Sequence, residues 1–237
     1  MSKVALITGG SGAVGSAIVR RFVADGYAVA FTYFKRGENA ARLASETGAQ
    51  AFQADLTDRQ QVRAMVDAVV TKVGPIDVLV NNAGRTQVMP FALIEEEDWD
   101  AILNANLKTM YLVTQESMRG MIQRRAGVIV NIGSLAGHRL LEVPVHYAAA
   151  KAAVTGFTLA LAKELARYNV RVNEVVPGLL TQGVGTLVPE KEAAEYVQYC
   201  AAGRRGEPKE VADVVAFLAG DGAGYVNAQS IHVDGGV

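Results

Sequence analysis

Val4-Ala5-Leu6-Ile7-Thr8-Gly9-Gly10-Ser11-Gly12-Ala13-Val14-Gly15 sets a short apolar run against a glycine turn, and the turn opens onto a helical pattern whose apolar face includes Val14, Ile18, Val19 and Phe22. A strand that feeds a Gly-rich turn and then a helix is the context in which Gly10-x-Gly12-x-x-Gly15 carries meaning. Glycine is needed there because a side chain would hold a pyrophosphate away from the backbone N–H groups at the helix start. Outside that context the same glycines mark only a tight turn. Inside it they predict a dinucleotide-binding loop through Gly9, Ser11, Gly12, Ala13 and Val14.

The strand-then-helix pattern continues along the chain. Apolar or β-branched runs at 4–8, 28–33, 49–54, 78–82, 128–132, 170–176 and 230–233 read as strands, and helical patterns fall at 14–25, 37–47, 58–73, 97–121, 147–168 and 208–219. Alternation of this kind predicts an α/β fold: a doubly wound, Rossmann-type parallel sheet of seven strands with helices on both faces. Strands that are apolar throughout agree with cover on both sides. The 237 residues contain no linker, charge block or low-complexity segment, so a single domain is expected.

Composition excludes several classes. Half of the residues are hydrophobic and a fifth charged, with a net charge of −1 and both signs interspersed, so no basic stripe points to nucleic acid. No apolar run approaches the roughly 20 residues that span a bilayer. The one cysteine, Cys200, has no partner for an internal disulfide, and Val4-Ala5-Leu6-Ile7 is too short for a signal peptide, so a cytoplasmic location is expected. Three histidines and one cysteine lack metal-ligand spacing, and no metal is expected.

Chemistry concentrates at the expected strand ends. The second strand runs into Tyr33-Phe34-Lys35-Arg36. An acidic residue there would bond a free ribose hydroxyl and repel a phosphate. Two cations instead favour NADP(H) over NAD(H), through charge-assisted bonds to a 2′-phosphate. Asp55 ends the third strand, placed either to accept from an adenine amino group or to cap the helix starting near Asp58. Asn81-Asn82-Ala83-Gly84 ends the fourth strand, where small residues let the chain pass close to a ribose. Tyr147 and Lys151 are one helical turn apart, with Ser134 thirteen residues upstream. A lysine on the same helix face stabilises a phenolate and brings a tyrosine towards acid-base use near neutral pH.

Together these motifs resemble the short-chain dehydrogenase/reductase family over essentially the whole chain, with Asn106, Pro177-Gly178 and Val233-Asp234-Gly235-Gly236 completing the pattern. Within it, Tyr147-Ala148-Ala149-Ala150-Lys151-Ala152 is most similar to 3-oxoacyl-(acyl-carrier-protein) reductases. The resemblance implies a catalytic set of Asn106, Ser134, Tyr147 and Lys151. Tyr147 would give a proton to a ketone oxygen, Ser134 would bond that oxygen, Lys151 would tune Tyr147 and hold a ribose, and Asn106 would hold a relay water or simply bond a neighbouring carbonyl. It extends the cofactor contacts to Tyr33, Lys35, Arg36, Asp55, Leu56, Asn82, Ala83, Gly84, Tyr147, Lys151, Pro177, Gly178 and Thr181. It further implies a small-molecule or carrier-linked ketone as substrate, an acyl carrier protein as candidate partner and a homo-tetramer. The rival readings are a dehydrogenase for a free alcohol, ketone or sugar, and a cofactor-binding sensor without chemistry.

The chain departs from the family pattern in three places. Ala13 stands where glycine is commonest, and Gly12 where the NADP-using reductases often have arginine; Gln182 stands where the nicotinamide-contacting threonine is usual, with Thr181 before it. A basic patch flanks the active-site mouth in the carrier-protein reductases; Arg125 matches one of its arginines and Tyr168 replaces another, beside Arg167. A substrate lid is expected at about 179–205, with Leu179, Leu180, Val184, Leu187 and Val188 as its apolar residues. His138 sits in the loop expected to wall the substrate pocket. His146 points about 100° away from Tyr147 and is expected at the surface or an interface. Helices 97–121 and 147–168 carry apolar residues around much of their circumference, including Tyr111, Leu112, Val113, Phe157, Leu159 and Leu161, which suggests burial on two sides.

Overall fold

The computed structural model describes residues 2–237. Seven parallel strands form one sheet in the order β3-β2-β1-β4-β5-β6-β7. They are β1 Val4–Ile7, β2 Ala28–Tyr33, β3 Gln50–Gln53, β4 Ile76–Asn81, β5 Gly127–Ile132, β6 Val170–Pro177 and β7 Ser230–Val233. All seven expected strands are present, with ends differing by a residue or two. The order reverses between β1, which pairs with β2 on one side, and β4 on the other. Crevices at such a reversal, beyond the carboxyl ends of the strands, are where these sheets bind ligands.

Eight α-helices accompany the sheet: α1 Ala13–Ala24, α2 Gly37–Thr47, α3 Arg59–Lys72, α4 Glu96–Leu103, α5 Thr109–Arg124, α6 Val145–Leu165, α7 Glu190–Tyr199 and α8 Pro208–Ala219. Because successive side chains of a strand point to opposite faces, each apolar strand feeds two cores. Ala5, Ile7, Phe31, Val80 and Val130 pack with Ile18 and Phe22 of α1 and Val215 and Leu218 of α8. Leu6, Leu79 and Ile129 pack on the other face with Val69 of α3, Leu112 and Met121 of α5 and Leu165 of α6. The doubly wound α/β arrangement is therefore as expected.

Local signals set the helix ends. Asp58 accepts from the Gln60 and Gln61 amides and caps α3. α8 begins at Pro208, with the Glu210 carboxylate accepting from the Glu207 amide. Gly48, at φ 74, closes α2 in a left-handed turn.

One expectation fails. The helix read at 97–121 is two helices, α4 and α5, joined by a π-turn over Asn104–Lys108. The cause is Asn106: its side-chain amide donates to the Ile102 carbonyl at 2.9 Å and to the Arg85 carbonyl at 2.7 Å. A side chain inserted into the i→i−4 ladder forces slippage, and the Thr109 amide reaches back five residues to the Asn104 carbonyl.

Phe22 is fully buried in the α1 and α8 layer. Phe22→Ala should destabilise the protein by about 3–5 kcal/mol, read as a lowered denaturant midpoint with an unchanged slope.

Candidate active site

The loop after β1 is held by a clasp across the switch point. Thr8 Oγ1 accepts from the amides of Asn82 and Ala83, both at 2.9 Å, and Asn82 Nδ2 donates to the carbonyls of Thr8 at 2.9 Å and Gly9 at 3.2 Å. Gly9, at φ +65, runs so close to β4 that a Cβ would stand 2.9 Å from Ala83 Cα. A Cβ on Gly10 would meet Phe31 at 2.6 Å, so that glycine serves strand-to-loop packing. Gly12 differs: a Cβ there meets only the Gly9 carbonyl, at 3.4 Å. Gly12 is the N-cap of α1, and no side chain caps the helix. Its first amides are thus open to an anion, with no carboxylate in the first turn to compete. The residues present fit a dinucleotide phosphate.

At the end of β2, Tyr33 is half-buried, and Lys35 and Arg36 are exposed. Among the described residues neither cation is paired with a carboxylate, and the Lys35 ammonium lies 5.7 Å from the Phe34 ring centre. Asp55 does not cap α3, which Asp58 does; its Oδ1 accepts from the Thr57 amide at 2.9 Å and the Thr57 hydroxyl at 2.7 Å. Leu56 is buried in the core, so any ligand contact there falls to its backbone.

The proposed catalytic residues converge at the carboxyl ends of β4 and β5. Lys151, 6% exposed, donates from Nζ to the Ile132 carbonyl at 2.9 Å and stands 5.9 Å from the centre of the Tyr147 ring. Ser134, just past β5, turns the chain by accepting from the Ala136 amide at 3.2 Å. Gly84 crosses above: a Cβ there would be 2.5 Å from Asn106 Oδ1 and 3.9 Å from Lys151 Nζ. Asn106 Oδ1 is buried without a hydrogen-bond partner, an acceptor pointing at the cleft floor between Gly84 and Lys151.

Burial dominates the electrostatics. It pushes the Tyr147 phenol above its ordinary value, while the Ser134 hydroxyl beside it pulls the other way. Burial also pushes Lys151 down to about 8, opposed by the negative charge of Glu174. The direction expected for Tyr147 from spacing alone is therefore reversed, because loss of solvent around the phenol is the largest influence on it.

Downstream of β6, Gly178 lies under the Tyr196 hydroxyl, which donates to the Asp234 carbonyl at 3.0 Å. Pro177 ends β6 and is buried. The Thr181 hydroxyl donates to Glu207 at 2.9 Å. The ends of the following segment are pinned together, with the Gly206 amide donating to Leu179 and the Thr181 amide to Gly206. Between them, Val184 and Leu187 are exposed in a short 3-10 turn that packs at Gly183 against Ala13 of the glycine loop. Leu180 is buried.

Three further expectations are corrected. His146 is wholly buried, both ring nitrogens lacking partners, and burial lowers its pKa. It lies in the first turn of α6, which starts at Val145, two residues earlier than read, and α6 packs against α4, whose Asp98 lies near the ring. His138 packs inward, its Nε2 3.0 Å from the Thr155 hydroxyl and 3.4 Å from Glu174. Arg125 does not border the mouth within one chain: it precedes β5 whereas Ser134 follows it, and its guanidinium donates to the Arg167 carbonyl at 2.8 Å. Sequence reading missed Glu174 altogether, since nothing in Val-Arg-Val-Asn-Glu-Val-Val separates a buried carboxylate from an edge charge.

The proton on Lys151 sets a pH test. Its folded pKa lies below the ordinary 10.5, so its destabilising effect is full below pH 8 and vanishes as pH approaches 10.5. Lys151→Met should raise stability at pH 7 by about 1–2 kcal/mol, after the lost bond to Ile132 is discounted. Thermal melts from pH 7 to 10 should show that advantage shrinking.

Known proteins resemble this chain along its whole length. A family model described as enoyl-(acyl carrier protein) reductase matches residues 10–237. The 3-oxoacyl-(acyl-carrier-protein) reductase FabG of Thermotoga maritima is 41% identical, covering 99% of this chain and 97% of the relative. The acetoacetyl-CoA reductase of Shinella zoogloeoides is 38% identical, covering 100% and 98%. Among solved structures, a blue fluorescent protein from a metagenomic library in complex with NADPH superposes with a TM-score of 0.92 at 37% identity, covering 99% and 97%. An actinorhodin polyketide ketoreductase variant with NADPH superposes with a TM-score of 0.93 at 34% identity, covering 99% and 96%. A chain with this sheet, this glycine loop and these relatives along its whole length belongs to the short-chain dehydrogenase/reductase family of oxidoreductases.

Proposed function

We propose that the protein is an NADPH-dependent ketoreductase that reduces a 3-oxoacyl thioester, linked to acyl carrier protein or coenzyme A, to the 3-hydroxyacyl form. The observation that carries this reading is the convergence of Ser134, Tyr147, Lys151 and the free Asn106 carbonyl oxygen under Gly84. Relatives named for reduction of carrier-linked and CoA-linked 3-oxoacyl groups support the substrate class. Exposed Val184 and Leu187, in the segment we read as a lid at 179–205, suit an acyl chain.

Tyr147 is the proton donor in this reading. A half-buried phenol with a raised pKa stays protonated at neutral pH, which suits delivery of a proton to a ketone oxygen as negative charge develops there. Ser134 donates a hydrogen bond to the same oxygen. Lys151 supplies positive charge beside the ring and, with Asn82, Ala83, Gly84, Pro177 and Gly178, lines the place of the nicotinamide and its ribose. Asn106 Oδ1 holds a water that returns a proton towards Lys151. The bound nicotinamide supplies hydride.

NADP(H) is preferred to NAD(H) because the unpaired cations Lys35 and Arg36 follow β2 and no carboxylate occupies its end. The helix amides behind Gly12 and Ala13 take the pyrophosphate, with Gly9, Ser11 and Val14 shaping the turn and Asp55 and the Leu56 backbone reaching the adenine. The exposed faces carrying Tyr111 and Leu159 are where copies would associate, as a tetramer by family resemblance. Acyl carrier protein as partner rests on the relatives' names and not on Arg125.

The test is a substrate panel followed by nicotinamide absorbance. Acetoacetyl thioesters should turn over with NADPH, and turnover only of unlinked alcohols, ketones or sugars would overturn the substrate assignment. Tyr147→Phe should lower kcat by at least about 100-fold while NADPH still binds; unchanged kcat removes Tyr147 as donor. Replacing Lys35 and Arg36 together by glutamate should raise KM for NADPH roughly tenfold or more, with much less effect on NADH.

A further inference from the structure

Behind Ser134 lies a cluster of ionisable groups that the chemistry above does not use. Glu174 is wholly buried on β6, flanked in the strand by Asn173 and Val175. Its Oε2 accepts from the Thr155 hydroxyl of α6 at 3.0 Å and the Ser230 hydroxyl of β7 at 2.6 Å. Its Oε1 is 3.4 Å from His138 Nε2. The His138 ring packs edge-on against His232, with centroids 5.0 Å apart, and His232 Nδ1 lies 3.5 Å from Asp234. Burying a carboxylate is unfavourable by several kcal/mol unless its partners compensate, and an apolar residue would fill the same site without that penalty. The two hydroxyls that hold Glu174 come from separate elements, which fixes the carboxylate in one place.

That place is next to the catalytic lysine's own anchor. A Cβ on Gly133 would fall on Glu174 Oε1, so the carboxylate lies directly against that residue. Lys151 Nζ bonds the carbonyl of the preceding residue, Ile132. The cation and the anion thus engage adjacent residues of one strand end, the end that carries Ser134. Thr155 lies one turn beyond Lys151 on α6, tying the carboxylate to the lysine's own helix.

We propose that Glu174 is a positioning residue for the reduction: a buried counter-charge, anchored by Thr155 and Ser230, that keeps the Lys151 ammonium charged and seated at the end of β5. This rests on the reading of Lys151 as part of the catalytic set. The titratable groups facing Lys151 are Tyr147 on its own helix and Glu174 on β6. Those facing Glu174 are Lys151 and, from the turn after Ser134, His138, with His232 and Asp234 of the β7 edge behind it. Arg139 turns away, towards the Val237 and His138 carbonyls. Loss of the carboxylate leaves Lys151 with desolvation unopposed, and its proton leaves at lower pH.

The experiment labels lysine Cε with carbon-13 in the full chain, assigns Lys151 by its absence from Lys151→Met, and follows its chemical shift against pH alongside kcat. The wild-type midpoint is expected near 8. Glu174→Gln should lower that midpoint by at least about half a pH unit, with the alkaline limb of kcat moving equally, and Glu174→Asp should restore most of the shift. If Glu174→Gln does not fold, the double variant Thr155→Val/Glu174→Val exchanges the cluster for packed apolar groups and reads the same midpoint. A midpoint that stays in place in a folded variant lacking the carboxylate overturns the proposal, even if kcat falls. Failure of every ketone substrate would instead refute the ketoreductase reading, and the resonance would still titrate and decide the role of Glu174.

Discussion

The reversal of strand order between β1 and β4 is the constraint on which the rest depends. The chain leaving β1 turns to α1 on one face of the sheet and the chain leaving β4 leads to α5 on the other, and the gap between them is fixed by the bonds between Thr8, Gly9, Asn82 and Ala83. Because Thr8 accepts two amides from the β4 end, the glycine turn cannot move independently of the chain that crosses above Lys151. Cofactor loop and reaction centre are one rigid unit for that reason. The glycines follow from the same closeness: Gly9 and Gly10 are where the loop touches β4 and β2, whereas Gly12 touches almost nothing of the protein.

The fold was legible because its signals are local. A buried parallel strand needs an unbroken apolar run, and the crossover needs a capped helix, so Leu6 and Ile7, Asp58, Gly48 and Pro208 each announce an element within a few residues of where it occurs. The residues proposed for catalysis were legible for a related reason, since Tyr147 and Lys151 lie on one helix and their separation fixes their shared face. What escaped depends on contacts between distant segments. Glu174 meets Thr155, Ser230 and His138 from three other elements. His146 is buried near the start of α6, which packs on α4, and no property of its own neighbours foretells that. The direction of the Tyr147 shift was misjudged because spacing reports on charges and says nothing about exclusion of water.

Water exclusion also explains why the site opposes stability. Lys151, Asn106, Glu174 and His146 are charged or polar groups held almost entirely out of solvent, and several of their atoms lack partners. Buried polar networks are unfavourable where incompletely satisfied. The two apolar layers, with Phe22, Phe31, Leu79 and Leu165 fully enclosed, supply the surplus that lets the fold carry them. Unmet hydrogen-bonding capacity gathers where a ligand or water would meet it, most plainly at Asn106 Oδ1.

The π-turn at Asn104–Lys108 has an effect that reaches beyond Asn106. Each residue of an α-helix advances about 100° around the axis, so one extra residue in a turn rotates everything after it by that angle relative to everything before. In α5 the buried residues Thr109, Met110, Leu112, Val113, Thr114, Ser117 and Met121 cover more than half of the circumference, whereas in α4 only Ile102 is buried. The slip thus re-aims the second helix by itself: α5 sinks Leu112, Val113 and Met121 into the core while α4 buries only Ile102, and the change of direction falls at the residue whose side chain reaches the cleft.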